Sequence, residues 1–231
     1  MASTNQTELP IVITKDQIKK VYLKDQPEII YKMIHPEPHV GTINGMYATG
    51  GGSGGIIPIQ TSFMPGSKFL DLTLTGMQGQ VMKESMNVAL TLAWSLTDVS
   101  RQAELKSKYG TTNIQSIHIH CPEGSTPKDG PSAGGAITCA LYSLLNEKKI
   151  KNDVAMTGEI SLNGDISAIG GLDLKIYGSI RAGVKTILYP KDNQKDFENF
   201  AEKYADAEIM VGITFHSVRN IHEAIRIVMS D

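Results

Sequence analysis

The residues of this chain whose types could do chemistry together are a serine and a lysine. The serine lies in a turn dense with glycine and proline, Pro127-Lys128-Asp129-Gly130-Pro131-Ser132-Ala133-Gly134-Gly135, and the lysine is Lys175. A serine hydroxyl is a poor nucleophile near neutral pH and needs a neighbour to take its proton. A lysine amine can do so once it has lost its own proton, and its free pKa of about 10.4 stands in the way. Burial, and a place beside the positive end of a helix dipole, both push that value down. Ser132 directly precedes a helical apolar pattern, and Lys175 falls in the first turn of another, behind Gly170-Gly171. Acyl transfer also needs donors for a developing oxyanion. Free backbone N–H groups around Gly130–Ala133 can supply them, with glycine letting a substrate carbonyl approach. Thr157, in Met156-Thr157-Gly158-Glu159, carries a hydroxyl that can accept a proton from the lysine or orient it. The residues alone leave a second reading open: Ser132 as a helix N-cap and Lys175 as a lysine snorkelling along a surface helix.

Rival chemistry has less to stand on. Cys121 is near the serine, but Pro122 follows it and no helical pattern opens behind it. Cys139 falls inside a helical pattern and reads as a small core residue. Two cysteines make no disulfide framework and suit a reducing compartment, the cytoplasm or an organelle matrix. His118 and His120 share one face of a strand and read as a polar face or a hydrogen-bonded support. The six histidines form no metal-ligand spacing, so no metal is expected. The run Gly50–Gly55 lacks the Gly-Lys-Ser/Thr of a phosphate-binding loop and reads as a hairpin connection. Net charge is −2 with no basic stripe, so nucleic acid is not an expected partner. No apolar run is long enough to span a bilayer and the polar N-terminus has no signal-peptide core, so neither is a membrane.

The chain of 231 residues is long enough for one large domain or two small subdomains. Residues 1–11 read as a disordered lead. Thr14 and Gln17 make a capping box for a short helix to about Leu23, and 26–39 reads as a connector. Strands are expected over Val40–Tyr47, Ile56–Met64, around Leu70-Leu72-Leu74 and around Ile117-Ile119. A helix from about Gln80 to Leu96 carries a stripe of Met82, Met86, Ala89, Leu90 and Ala93. A second follows Ser132 to near Lys149. Asp153–Ile160 and Ile166–Ile169 flank Asn163-Gly164, a type I′ hairpin signal. A helix marked by Leu172, Ile176 and Ile180 ends at Gly183, and a strand follows over Thr186–Tyr189. Asp192 is expected to cap a helix carrying Phe197 and Phe200, Ile209–Phe215 a strand, and Asn220 with Glu223 a capping box for the last helix. Helices and strands alternating irregularly with hairpins argue for an α+β, mixed α/β, domain.

Residues 12–229 resemble the proteolytic domain of the Lon proteases. The resemblance rests on His118 through Gly134, Met156-Thr157-Gly158-Glu159-Ile160 and Ile169-Gly170-Gly171-Leu172, with weaker support from Val40 to Ser85. It implies a fold like domain 2 of ribosomal protein S5, and a serine endopeptidase with a serine–lysine dyad that cleaves unfolded polypeptides. By motif, the nucleophile falls on Ser132, the base on Lys175, the supporting threonine on Thr157 and the loop aspartate on Asp129. The resemblance further implies a homo-hexameric ring driven by an ATPase module. These 231 residues carry no Walker A or Walker B motif. ATP and Mg would therefore be used by a module outside this chain, which is either a cut-out domain or a stand-alone product and binds no cofactor itself. Gln60 replaces a common acidic residue, and Asp173 departs from Lys-Glu-Lys after Gly-Gly-Leu. Two other readings are a non-catalytic ring scaffold, which would lack Ser132 and Lys175, and a small-molecule hydrolase using the same pair.

Overall fold

A computed structural model describes residues 12–25, 32–122 and 128–230. The expected lead over 1–11 and the motif residues Glu123–Pro127 lie outside the described residues, as does part of the 26–39 connector. The chain divides into two units, Met1–Ile30 and Tyr31–Asp231. In the first, Thr14 Oγ1 accepts from Gln17 N–H at 3.2 Å and Gln17 Oε1 from Thr14 N–H at 2.9 Å, the expected capping box. It opens α1, Lys15–Gln17, which runs on as a π-helical turn, Ile18–Tyr22.

The second unit is built on strands β1 (His39–Val40), β2 (Thr42–Ala48), β3 (Gly54–Pro65), β4 (Leu72–Thr75) and β5 (Gln115–His120), then β6 (Lys149–Ile150), β7 (Val154–Met156), β8 (Glu159–Ile160), β9 (Ile166–Ser167), β10 (Thr186–Pro190) and β11 (Thr214–Val218). Seven of these form one mixed sheet in the order β11-β10-β7-β2-β3-β5-β4, while β1 pairs with β6 and β8 with β9. The helices are α2 (Gln80–Ser95), α3 (Val99–Tyr109), α4 (Gly134–Asn146), α5 (Leu172–Arg181), α6 (Gln194–Lys203) and α7 (Ile221–Val228). This is the mixed α+β architecture expected.

Strand alternation sorts the core to the two faces of the sheet. Ile43, Ile59, Val154, Met156 and Leu188 meet Met86, Ile137 and Leu141 of α2 and α4 on one side. Met46, Ile56, Ala155 and Ile187 meet Leu172, Ile176 and Phe200 of α5 and α6 on the other. The sheet thereby holds α4, which begins behind Ser132, and α5, which carries Lys175, against opposite faces of the same strands.

Several boundaries differ from the sequence reading. The expected strand 40–47 breaks at Gly41, whose φ is +72° and whose N–H donates to Ser143 Oγ. The expected strand 153–160 is interrupted at Thr157 and Gly158. Thr157 N–H still donates to Leu188 C=O of the neighbouring β10, but Gly158 N–H leaves the sheet and donates to Ser132 C=O. The turn at Asn163-Gly164 is not type I′: Ser161 N–H donates to Asp165 C=O, and only Gly164 has positive φ, +87°. That is a turn followed by a left-handed glycine, since type I′ needs both central residues there. Asn193, not Asp192, is the N-cap of α6, behind a 3-10 turn Lys191–Asn193. The expected strand 209–215 starts only at Thr214, after a 3-10 turn Glu208–Met210. Helix α3 had no sequence signal because Leu105 is its only buried residue. On α2, Leu92 joins the buried stripe in place of Leu90. Half of the expected α7 capping box forms: Asn220 Oδ1 accepts from Glu223 N–H at 3.1 Å, while the Glu223 carboxylate accepts from Arg219 N–H at 2.8 Å, one residue before the cap.

Helix α5 crosses the start of β3 with backbone against backbone. A Cβ on Gly54 would lie 2.1 Å from Leu174 O, and one on Gly178 would lie 2.1 Å from Gly54 C. Helix propensity alone would make Gly178→Ala stabilising by about 1 kcal/mol. The crossing reverses the sign: the new methyl meets backbone that cannot give way, and a loss of about 2 kcal/mol is expected. Thermal denaturation checks this, and an unchanged or raised midpoint would contradict so close a crossing.

Candidate active site

Ser132 occupies the turn before α4. Pro131 C=O accepts from Gly134 N–H at 3.0 Å, and Ala133 is the helix N-cap. The carbonyl of Ser132 is gripped twice, by Gly158 N–H at 2.8 Å and by Thr157 Oγ1 at 3.1 Å. The serine is therefore tied to the β7–β8 connection, and its side chain points the other way. From the opposite side comes Lys175, in the first turn of α5. Its Nζ donates to Ser132 Oγ at 3.0 Å and to Thr157 Oγ1 at 3.2 Å.

Lys175 is only 4% exposed. Burial pushes its pKa from the ordinary lysine range down to about 8. Near neutral pH a useful fraction of the amine is thus unprotonated. The hydroxyl of Thr157 donates to Ser132 C=O, so its oxygen is left to accept from the amine. A neutral amine that gives one N–H to Thr157 turns its lone pair toward the Ser132 hydroxyl, as proton abstraction requires.

Asp129 does not point at this pair. Its Oδ1 accepts from Met82 N–H at 3.0 Å and from Gly130 N–H at 2.9 Å. Backbone donors at Met82, Gly130 and Val81 hold its carboxyl below the usual carboxylate range. The N-cap of α2 is Gly79, which offers no side chain, and a Cβ there would lie 2.3 Å from Asp129 Cγ. Asp129 thus caps α2 from outside the helix, where the dipole favours an anion, and pins the serine turn to it. Gly130 has φ +109° and open space around its missing Cβ, so backbone conformation is what requires glycine. Its N–H is taken by Asp129, and Pro131 has none. Of the donors expected around Gly130–Ala133, Ser132 N–H and Ala133 N–H are those with no hydrogen bond among the described residues.

Ser132, Lys175, Asp129 and Gly130 border one cleft of about 700 Å³. Its walls include the apolar Met46, Ile57 and Met82, the segment Ala168–Gly170, and one further carboxylate, Glu159. None of these walls was singled out as a site from sequence. Met82 read as core, which it also is, and Ile169-Gly170 had meaning only within a longer motif. The remaining candidates lie elsewhere. His118 Nε2 and His120 Nδ1 share Thr75 Oγ1, at 2.7 and 2.8 Å, on the sheet face away from the core. Cys121 is fully buried, with its thiol pushed up by burial, and Cys139 is pushed up to about 12 by the same cause. Neither is a thiolate near neutral pH. Gly50–Gly55 closes on itself as the β2–β3 hairpin, through Thr49 N–H to Ser53 C=O at 2.8 Å. Gln60 is exposed on β3 outside the cleft, and Asp173 borders a neighbouring hollow. Among the described residues no three His, Cys, Asp or Glu side chains gather where they could hold a metal ion.

A family model described as the Lon protease (S16) C-terminal proteolytic domain matches residues 12–231. The chain belongs to that family. It is 45% identical over 199 residues to a Lon protease homolog of Acanthamoeba polyphaga mimivirus, a match covering 84% of this chain and 19% of that protein. It is 40% identical to a Lon protease of Vibrio parahaemolyticus, covering 87% of this chain and 24% of the relative. To a Lon protease of Methanosarcina barkeri it is 38% identical, covering 96% and 26%. This chain therefore spans roughly a fifth to a quarter of these Lon proteins. Among the described residues no helix is long and apolar enough to cross a membrane.

The buried lysine makes a stability prediction. Its folded pKa of about 8 lies below the ordinary 10.5. Between these values the unfolded chain holds a proton that the folded chain has lost, so stability rises with pH across that window. Below it, the fold carries a desolvated ammonium. Lys175→Met should therefore raise the thermal midpoint at pH 7, by the equivalent of about 1 kcal/mol, and abolish the Lys175-linked rise at alkaline pH. Melting curves from pH 6 to about 10.5 of both proteins test it. A lowered midpoint at pH 7 would show that the lysine's hydrogen bonds outweigh its desolvation.

Proposed function

We propose that this domain is a serine endopeptidase in which Ser132 is the nucleophile and Lys175 the general base. The observation that carries the reading is the 3.0 Å approach of Lys175 Nζ to Ser132 Oγ, with the amine pushed down to about 8 by burial. The neutral amine takes the proton of Ser132 as Oγ bonds to the scissile carbonyl carbon. The carbonyl oxygen, now an oxyanion, receives Ser132 N–H and Ala133 N–H. As the C–N bond breaks, the Lys175 ammonium returns the proton to the leaving amine. Water then enters; Lys175 takes its proton, and the acyl group leaves Ser132 as the carboxylic acid with the hydroxyl restored. Thr157 keeps the lone pair of the amine aimed through both steps, and Asp129 holds the turn.

A cleft of about 700 Å³ with Met46, Ile57 and Met82 in its walls fits unfolded polypeptide as the substrate better than a small molecule, and the retained Ser132 and Lys175 argue against a non-catalytic scaffold. The rest is carried by kinship: a homo-hexameric ring, an ATPase module that uses ATP and Mg and unfolds substrates, and a reducing compartment such as the cytoplasm or an organelle matrix.

Cleavage of a short fluorogenic peptide is the direct test. Ser132→Ala and Lys175→Ala should each lower the rate at least ~10³-fold, with folding retained. Cleavage by Ser132→Ala at the unsubstituted rate would refute the nucleophile. The rate should climb with pH through about 8, as Lys175 loses its proton. A rate flat from pH 6 to about 9.5 in a folded protein would refute the base. This chain alone should neither hydrolyse ATP nor degrade tightly folded proteins, whatever nucleotide is added.

A further inference from the structure

Asn193 makes bonds that its position does not call for. As the N-cap of α6 it would ordinarily turn its side chain to the helix's own N–H groups, and it makes no such bond. Instead Oδ1 accepts from Ile169 N–H at 2.9 Å and Nδ2 donates to Ile169 C=O at 2.9 Å. Nδ2 also donates to Asp196 Oδ2 at 2.6 Å. The residue is only 3% exposed. A carboxamide has one acceptor and two donors, so it can stand in for the peptide group of a neighbouring strand.

Ile169 belongs to the cleft wall, between Ala168 and Gly170. Neither neighbour makes a backbone hydrogen bond among the described residues. Along an extended chain, alternate residues direct their N–H and C=O groups to opposite sides, and the unpaired side is an edge on which another chain can add. With the Ile169 groups held on one side by Asn193, those of Ala168 are free for the other, and Gly170, at the bend that leads into α5, has its own N–H and C=O unengaged among the described residues.

We propose that Asn193 is a positioning residue for the substrate: it clamps the Ile169 peptide and so presents the backbone of Ala168 and Gly170 to an extended polypeptide in the cleft. The proposal rests on the peptidase reading for what occupies the cleft, though not on which residue is the nucleophile. The chemistry recognised is the main chain of an unfolded peptide, independent of sequence and absent from compounds that reach Ser132 without a backbone of their own.

Two measurements separate the clamp from the dyad. The first is binding of a fluorescein-labelled unstructured decapeptide, by anisotropy, to Ser132→Ala and to Ser132→Ala/Asn193→Ala. The second is kinetics of the otherwise unsubstituted protein and of Asn193→Ala, on a fluorogenic peptide and with a small sulfonyl fluoride that sulfonylates an activated serine, with loss of fluoride, without peptide contacts. Peptide binding should weaken about tenfold and KM rise to match, the loss expected for two hydrogen bonds that order a binding edge. The kcat and the sulfonyl fluoride rate should change by less than about threefold. Asn193→Asp keeps the volume and the acceptor, lacks the donor to Ile169 C=O, and should show the same KM effect; it serves if Asn193→Ala does not fold. Unchanged peptide binding would overturn the clamp, as would a fall in kcat and labelling with KM unmoved, since Asn193 would then act on the dyad. Weakened binding in a protein that never cleaves peptides would keep the clamp and remove the serine–lysine reading. Ser132-dependent cleavage with KM untouched by either variant would do the reverse.

Discussion

Lys175 Nζ is held 3.0 Å from Ser132 Oγ inside the protein, and almost every other feature near it either creates or tolerates that contact. An amine in water keeps its proton near neutral pH; one taken out of water gives it up more readily, at a cost to the fold. Lys175 reaches that condition by the packing of α5. The helix can come close to β3 because Gly54 and Gly178 leave its backbone and the strand's in direct contact. A wider crossing would open the lysine to solvent and return it to the ordinary lysine range. The close crossing of two glycines, remote from the serine in sequence, is thus part of what keeps Lys175 out of water.

The hydroxyl partner is placed from the other face of the sheet. Helix α4 packs with α2 over Ile43, Ile59 and Met156, while α5 packs over Met46, Ile56 and Ala155. The two side chains therefore meet around the end of β7, where that strand stops. The interruption at Thr157-Gly158 serves this meeting. A continuous strand would direct the Gly158 N–H to a sheet neighbour, as Thr157 N–H still is. The break lets Gly158 N–H and Thr157 Oγ1 hold the Ser132 carbonyl, and lets the same Thr157 oxygen receive the lysine. One threonine with no exposed surface joins serine backbone to lysine side chain, so neither can shift without the other.

How much of this was legible in the sequence depended on whether the signal was local. The Asn220 cap of α7 and four of the five α2 stripe positions, Met82, Met86, Ala89 and Ala93, are set by residues within a few positions of each other, and the structure has them as expected. The pairing of Ser132 with Lys175 could be suggested from types and turns, but the residues alone left a capping serine and a surface lysine equally open. The burial that distinguishes them comes from the α5–β3 crossing, which no local pattern announces. Asp129 was placed by resemblance, without its physical task, because the helix it caps begins far upstream. Asn193 was passed over in favour of Asp192, since both are good caps and the choice turns on Ile169, a distant residue in the cleft wall. Helix α3 was missed for the opposite reason: with Leu105 alone buried, it has almost no apolar stripe to read.

The serine turn illustrates how a motif follows from backbone accounting. Asp129 must be acidic because α2 begins at Gly79 without a cap of its own and presents Val81 and Met82 N–H groups. Gly130 must be glycine because φ is +109°, a region that a Cβ makes strained. Its N–H would be a third donor facing the cleft, but Asp129 Oδ1 engages it. Pro131 brings no N–H and fixes φ just ahead of Ser132, while its carbonyl closes the turn onto Gly134. Gly134 and Gly135 are small because α4 starts against Ile160 and Met156, where a Cβ would lie 2.6 and 2.5 Å from their side chains. The donors that remain are Ser132 N–H and Ala133 N–H, on either side of the peptide that carries the hydroxyl. A carbonyl carbon brought to Ser132 Oγ would therefore set its own oxygen, the atom that takes up charge, beside both donors.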